Sequence, residues 1–365
     1  MKILKKIKET FFYFIYGKIE KINYSEKIRE KVLIKKVFFS KNLIYDLLII
    51  KKARLFTSSV HDTAVIVDNK ILKEGSFQYR HNKFNRIING KVSQNLVLKR
   101  GTPAFVKTIN QNLFSILRGG AAKNNYFHWL FDVLPCFEIL KKSKKKFRNL
   151  NYLVPSLKFA YQKETLKLLG LHENQIINGE KYSHLLIKKN LIISNHPYVF
   201  NNNPTKSIQN IPIWIINWLR KTFLNKAKYK NFNYERIYIN REDSKLGNIR
   251  RIVNNDEVVS NLKMQNFKIL NLSEYSFIHQ VNLFKNAKII IGLHGAGFAN
   301  LVFSRQGTKI IELKSVTAGN LFKNLAKSCK LKYFCISAKS KNKSLKYQNG
   351  LISINIKKLN KLINA

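Results

Sequence analysis

Acidic residues are scarce in this chain. Only 20 Asp and Glu stand against 67 Lys and Arg, a formal net charge of +47 in 365 residues. Cysteine is scarcer still. Cys136, Cys329 and Cys335 form no CxxC pair, which excludes a disulfide framework and argues against structural zinc. The setting that fits is reduced and cytoplasmic. Long apolar runs are absent, so no stretch is long enough to cross a membrane as a helix. The opening MKILKKIKETFFYFIYGKIEKI has the basic start of a signal peptide. Its run FFYFIY is too short and too aromatic for one, and no small-residue cleavage site follows. This segment suits either an anionic membrane surface or a first helix packed on its own domain. No zinc knuckle, RRM motif, separate basic arm or internal repeat is present, so nothing specific to nucleic acid can be read.

What remains is a basic protein with a proper core. The composition is 45% apolar, with 25 Phe and 16 Tyr. The charge predicts attraction to polyanions: nucleic acid, acidic lipid headgroups or phosphorylated substrates. The lysines are scattered among many Ile and Asn, which reads equally as codon bias of an AT-rich genome. The length favours two domains, and the change of character near 196–235 places the boundary so that 1–208 and 209–365 are the two parts. The first part is mixed: helix near the start, β from about 62, a hairpin at AVIVDNKIL, and a helix over 125–142 that Pro135 bends or breaks. The second alternates regularly, with strands RIYIN, FKILNL, KIIIGL, TKIIEL and LKYFCIS separated by helices. That pattern means βαβ units and a parallel sheet, so the fold class is α/β. The last helix is expected to pack back on the N-terminal domain.

The stretch KIIIGLHGAGFANLVF follows a buried strand and opens a helix. Ligands in parallel sheets bind beyond the carboxyl ends of strands. Gly295 and Gly297 flank Ala296 and let backbone approach a phosphate, beside His294. Helix N–H groups add a positive end. The pattern is not a full GxGxxG, since Asn300 stands at the third position. Glu312, at the end of the next strand, is placed where a ribose-binding acid is expected. Arg241 closes RIYIN toward the same crevice, and Arg250 and Arg251 follow. A guanidinium there is a natural partner for a diphosphate. A tight βα turn that needs small residues for packing is the competing reading.

The stretch NYFHWLFDVLP is apolar except for Asn125, His128 and Asp132, which helical spacing puts on one face. Burying an imidazole and a carboxylate without partners costs several kcal/mol, so they pair or line a cavity. At i and i+4 they touch, and a carboxylate beside a histidine fixes its tautomer and raises its basicity. That is a general base with its orienter, or a core pair that pins the helix. Arg118 and Lys123 stand just ahead, in RGGAAKNN, as candidate acceptor or phosphate contacts, and Arg251 joins them from the second part.

Three stretches together, NYFHWLFDVLP, RIYINREDSKLGNIRRIVNNDEV and KIIIGLHGAGFANLVFSRQGTKIIEL, resemble glycosyltransferase family 61, over roughly residues 111–340. The resemblance implies a GT-B architecture, two Rossmann-like domains facing across a cleft. It also implies inverting, metal-independent transfer from a nucleotide sugar, commonly a UDP-sugar. The nucleotide sugar is a co-substrate, and no cofactor or metal is expected. Carried onto this chain, Arg241, the turn His294–Gly297, Asn300 and Glu312 hold the donor, and His128 and Asp132 serve the acceptor, a glycan or lipid-linked glycan. The absence of a DxD-type cluster agrees with metal independence. Surface polysaccharide assembly, of capsule or lipopolysaccharide, at the inner face of an anionic membrane is the expected setting. One departure is Asn254-Asn255, where related sequences often read Asn-Glu. Two other readings stay open: a basic nucleic-acid-binding protein, favoured by charge, and a dinucleotide-dependent oxidoreductase, favoured by the glycine turn.

Overall fold

The computed structural model describes residues 2–21, 30–59, 61–83, 87–119, 121–201, 203–227, 234–241, 250–340 and 349–365. Most of the linker KAKYKNFNYE and the centre of the second resemblance stretch, 242–249, lie outside the described residues. The chain divides into two compact units, Met1–Ile208 and Gln209–Ala365.

The strands of the first unit are β1 (Glu20–Lys21), β2 (Val32–Ser40), β3 (Leu43–Ser59), β4 (Asp62–Val67), β5 (Lys70–His81), β6 (Ile87–Asn89), β7 (Lys107–Ile109), β8 (Asn112–Ser115), β9 (Leu150–Val154), β10 (Ile176–Asn178) and β11 (His184–Ser194). They share one sheet, with the path β1-β5-β4-β3-β11-β8-β9-β10. The sheet has two characters. From β2 to β5 it is an antiparallel meander. From β11 through β8 and β9 to β10 it is parallel. A Rossmann-like domain was the expectation here, and only the parallel part resembles one. The hairpin in AVIVDNKIL is the β4–β5 turn. Asp68 and Asn69 there have φ of 48° and 59°, a pair of left-handed residues that matches strand twist and that Asp and Asn tolerate.

The second unit is more regular. Strands β12 (Arg236–Asn240), β14 (Lys268–Asn271), β15 (Ile289–Leu293), β16 (Lys309–Ser315) and β17 (Lys332–Ala338) form a five-stranded sheet ordered β14-β12-β15-β16-β17. All its pairings are parallel. In chain order this is 2-1-3-4-5, the flavodoxin-like winding, whose topological switch lies between the first and third strands. A separate parallel ladder joins β13 (Arg250–Ile252) to β18 (Gly350–Ile352). The core holds Tyr238, Ile291, Ile311, Leu313 and Ile336 from the sheet, with Val258 and Leu262 from helix Asn255–Met264. The same core buries Leu359 and Ile363 of the last helix, Ile356–Asn364. The apolar stripe of this helix, expected to pack on the N-terminal domain, contributes to the core of its own unit.

Candidate functional site

In the first unit, chemistry gathers at the carboxyl ends of β8 and β11. These strands are parallel neighbours, with Ile193 opposite Ser115, while the chain leaves β8 toward β9 on its other side. That is a switch point of the parallel part. Arg118 follows β8 and His196 and Tyr198 follow β11. The Arg118 guanidinium, 8% exposed, ties the two ends together by donating to Ser194 Oγ at 2.9 Å. Gly119 follows with φ of 90°, and a Cβ there would run into the Tyr79 ring.

His128 and Asp132 stand on the helical run that leaves this edge. Tyr126–His128 is α-helical, Trp129–Val133 is π-helical, and Pro135–Lys142 is α-helical again. Pro135 has no N–H to give to the turn before it, and Leu134 N–H reaches back five residues to the Trp129 carbonyl at 3.1 Å. Asn125 takes no place on a polar stripe. Its side chain caps the run, accepting from Phe127 N at 2.9 Å and His128 N at 3.4 Å, which is the usual work of Asn at an N-cap.

Asp132 is 4% exposed and fully engaged. Its Oδ2 faces His128 Nδ1 at 2.8 Å and His196 Nε2 at 3.6 Å, and its Oδ1 accepts from Tyr198 Oη at 2.5 Å. His196 Nδ1 accepts backbone N–H from Tyr198 and Val199 at 3.3 and 3.2 Å. Its proton therefore sits on Nε2, toward Asp132. Burial alone would raise Asp132, but the charge and hydrogen bond of His128, and then those of His196, hold it well below the usual carboxylate range. Burial would lower His128, and Asp132 reverses that, so the net shift of His128 is upward. Burial lowers His196 and its Asp132 contacts do not restore it. Tyr198 is pushed well up, first by burial and then by Asp132, so its hydroxyl stays neutral and donates.

Of this group His128 is the accessible member, its side chain 22% exposed. With Nδ1–H given to Asp132, Nε2 carries the lone pair. The sign of the pH effect follows. A raised folded pKa means that the imidazolium–Asp132 pair stabilises the fold below about 6.5 and loses that contribution as pH rises through the higher folded value. Base catalysis needs the opposite form. The acid limb of kcat/KM is therefore expected above pH 6.5, and Asp132→Asn is expected to move it down. A limb unmoved by that substitution would take His128 out of the pH profile.

Arg118 and Lys123, both expected as acceptor contacts, line one cavity of about 210 Å³ with Gly119, Glu180 and Ser183. Lys123 is paired there with Glu180 at 2.7 Å. His196 and Tyr198 were missed by sequence reading, because HPYVF looks like any loop. The available signal was a histidine two residues past a strand end, LIISNHPY.

In the second unit the residues gather at the β12/β15 switch. Arg241 follows β12 and His294 follows β15. Arg241 Nη1 and Arg250 Nη1 both donate to the His294 carbonyl, at 3.2 and 3.3 Å. Arg250 is 5% exposed and also donates to Asn349 Oδ1 at 3.0 Å, while its Nε is buried with no hydrogen-bond partner among the described residues. Burial, then the neighbouring Arg241 charge, lowers Arg250 to about 10. Arg251 was the expected phosphate contact, but β13 alternates: Arg250 is buried toward the turn and Arg251 is exposed.

The glycine turn is shaped by these arginines. Gly295 is extended, with φ of 162°, so its backbone is open to any residue. A Cβ there would meet the Arg241 guanidinium, so glycine lets that side chain lie against the turn. At Gly297 a Cβ would press on Leu272 and Ile239, a packing reason. Ala296 opens the 3-10 helix Ala296–Phe303, whose first N–H groups have no partner within the helix.

Two of the expected donor contacts are buried and paired within the unit. Asn300 is fully buried on the inner side of this helix and donates to Gln280 Oε1 at 2.9 Å. Glu312 is 0% exposed and sits within β16. His294 Nδ1 meets its Oε1 at 2.5 Å and Tyr333 Oη donates to its Oε2. Both oxygens of this carboxylate are thus engaged within the unit, by His294 and Tyr333. Asn255, the departure noted above, accepts from Tyr238 Oη at 2.8 Å and donates to Asn240 at 3.4 Å, so it braces the end of β12.

No curated protein matches this chain. The family model described as Glycosyltransferase 61 matches residues 126–311, just over half of the chain. The matched span begins at the helix of His128 and Asp132, contains both arginines and the glycine turn, and ends one residue short of Glu312. A match of that extent over those elements makes this chain a member of glycosyltransferase family 61.

Proposed function

We propose that this protein moves a sugar from a nucleotide sugar, a UDP-sugar on the family resemblance, to a hydroxyl of a glycan or lipid-linked glycan in surface polysaccharide assembly. The reading takes it as a GT-B enzyme that inverts the anomeric centre and works without a metal. The acceptor oxygen gives its proton to His128 Nε2 and bonds to the anomeric carbon. The bond from that carbon to the diphosphate breaks, and the leaving group takes the electron pair.

The observation that carries the donor assignment is the meeting of two guanidiniums on one carbonyl at a strand switch. Arg250, already lowered to about 10 beside Arg241, gains most when an anion arrives to share both charges. Preorganised cations of this kind stabilise a developing diphosphate as a metal would. The clothed Asp132 and the accessible His128 support the base assignment. A dinucleotide site is disfavoured, because Asn300 stands in place of the third glycine and the turn follows the third strand of its sheet in chain order, not the first.

Ligand-observed NMR and thermal shift against UDP, a panel of UDP-sugars, NAD and random-sequence DNA test the reading. UDP and at least one UDP-sugar are expected to bind, and Gly295→Ala is expected to weaken UDP at least about tenfold by displacing Arg241. Transfer is expected to survive EDTA. Stabilisation by NAD but not UDP would make the protein an oxidoreductase, and salt-sensitive DNA binding with no nucleotide binding would make it a nucleic-acid protein.

A further inference from the structure

Helix Lys2–Tyr16 is attached to its unit by one narrow stripe. Phe12 is 4% exposed and packs edge-on against Phe105, with ring centroids 4.9 Å apart. Tyr16 stacks on Phe12, meets the His184 ring edge-on at 4.8 Å, and its hydroxyl accepts from Val106 N at 3.0 Å. Glu9 completes the stripe, 3.8 Å from Arg100. Positions 9, 12 and 16 are the i, i+3, i+7 set of one helix face.

The apolar residues lie on the other side. Ile3 is 77% exposed, Leu4 72%, Ile7 60%, Phe11 52% and Phe14 81%. At about 100° per residue these positions fill a single arc of roughly 100°. Lys6 and Lys8 fall just beyond its two margins, and both are exposed. Phe105, 74% exposed and edge-on to Phe11 at 6.3 Å, extends the patch beyond the helix. A helix stitched onto a soluble domain normally turns its apolar face inward. This one keeps aromatic and aliphatic side chains in water and lysines at the edge.

We propose that helix Lys2–Tyr16 is an interfacial helix, which seats the protein on an anionic lipid surface with Ile3, Leu4, Ile7, Phe11 and Phe14 in the boundary between headgroups and acyl chains. A helix of 15 residues is about 22 Å long, short of the roughly 30 Å needed to span, and no described helix is long and apolar enough to cross. Lying in the surface plane is the geometry left for such an amphipathic segment. Charge selects the occupant. A second copy would bring one +47 chain against another, with lysines facing lysines, whereas an anionic leaflet attracts both the lysine margins and the molecule behind them. This inference is independent of the sugar chemistry, and its test needs no donor or acceptor.

The test is vesicle co-sedimentation of the full chain, with vesicles of 30% phosphatidylglycerol in phosphatidylcholine and vesicles of phosphatidylcholine alone. Strong binding is expected only to the first. Ile7→Asp with Phe14→Asp is expected to lower it at least tenfold, and Lys6→Gln and Lys8→Gln together to lower it severalfold per charge. All four positions are exposed, so unchanged melting in the variants is the folding control. Phe14→Trp adds a direct readout: its fluorescence is expected to shift to the blue with phosphatidylglycerol vesicles. Binding that survives the aspartates, equal binding to both vesicles, or light scattering that shows a dimer dissolved by the aspartates would each overturn the proposal.

Discussion

His128→Ala is expected to lower turnover by about 10²–10⁴-fold, the range for loss of a positioned general base, while donor binding stays within a few-fold of the parent. The expectation rests on which member of the cluster has room to act. Asp132 has a partner on each oxygen, from His128, Tyr198 and His196. A carboxylate held so far below its usual range is a poor base. His128 gives Asp132 one nitrogen and keeps the other. Asp132→Asn is expected to reduce turnover less than His128→Ala, because an amide oxygen can still accept from Nδ1 but no longer raises the ring's basicity. A parent-like rate in His128→Ala, with transfer established in the parent, would reassign the base.

Glu312→Ala is expected to destabilise by on the order of 3–5 kcal/mol, the cost of removing one partner from a buried charged cluster. For a unit of this size that is a fall in melting temperature of roughly 6–20 °C. The loss leaves His294 Nδ1 and the Tyr333 hydroxyl facing an empty site, with Lys314 Nζ 3.9 Å from the missing carboxylate. Glu312→Gln keeps an acceptor for one of the two and is expected to cost much less. UDP titrations of Glu312→Gln, made well below its melting point, separate the roles. A positioning residue leaves affinity nearly intact, whereas a ribose ligand lowers it sharply with little change in melting.

Much of the second unit was legible in the sequence, because parallel strands covered on both faces appear as continuous apolar runs such as KIIIGL and TKIIEL. The strand β3 was not. Leu47, Leu48, Ile49 and Ile50 are all buried, so no alternation marks LIYDLLII as strand rather than helix. At the sites, residue types were readable but directions were not. Arg250 and Arg251 are adjacent letters that point opposite ways. Glu312 and Asn300 carry donor-type groups that the fold spends inside. His196 and Tyr198 needed β8 and β11 to become neighbours before they could meet Asp132.

The π-helical segment Trp129–Val133 is, in effect, one residue more than an α-helix would spend on the same rise. Residues before and after it are out of phase by about a quarter turn. Asp132 sits inside that phase slip. Its backbone carbonyl takes the Cys136 thiol at 3.3 Å, while its side chain turns to the two histidines and Tyr198. The segment therefore fixes a count as well as a shape. A chain shorter by one residue here could form a straighter helix, and it would turn the residues beyond the segment by about a quarter turn relative to those before it.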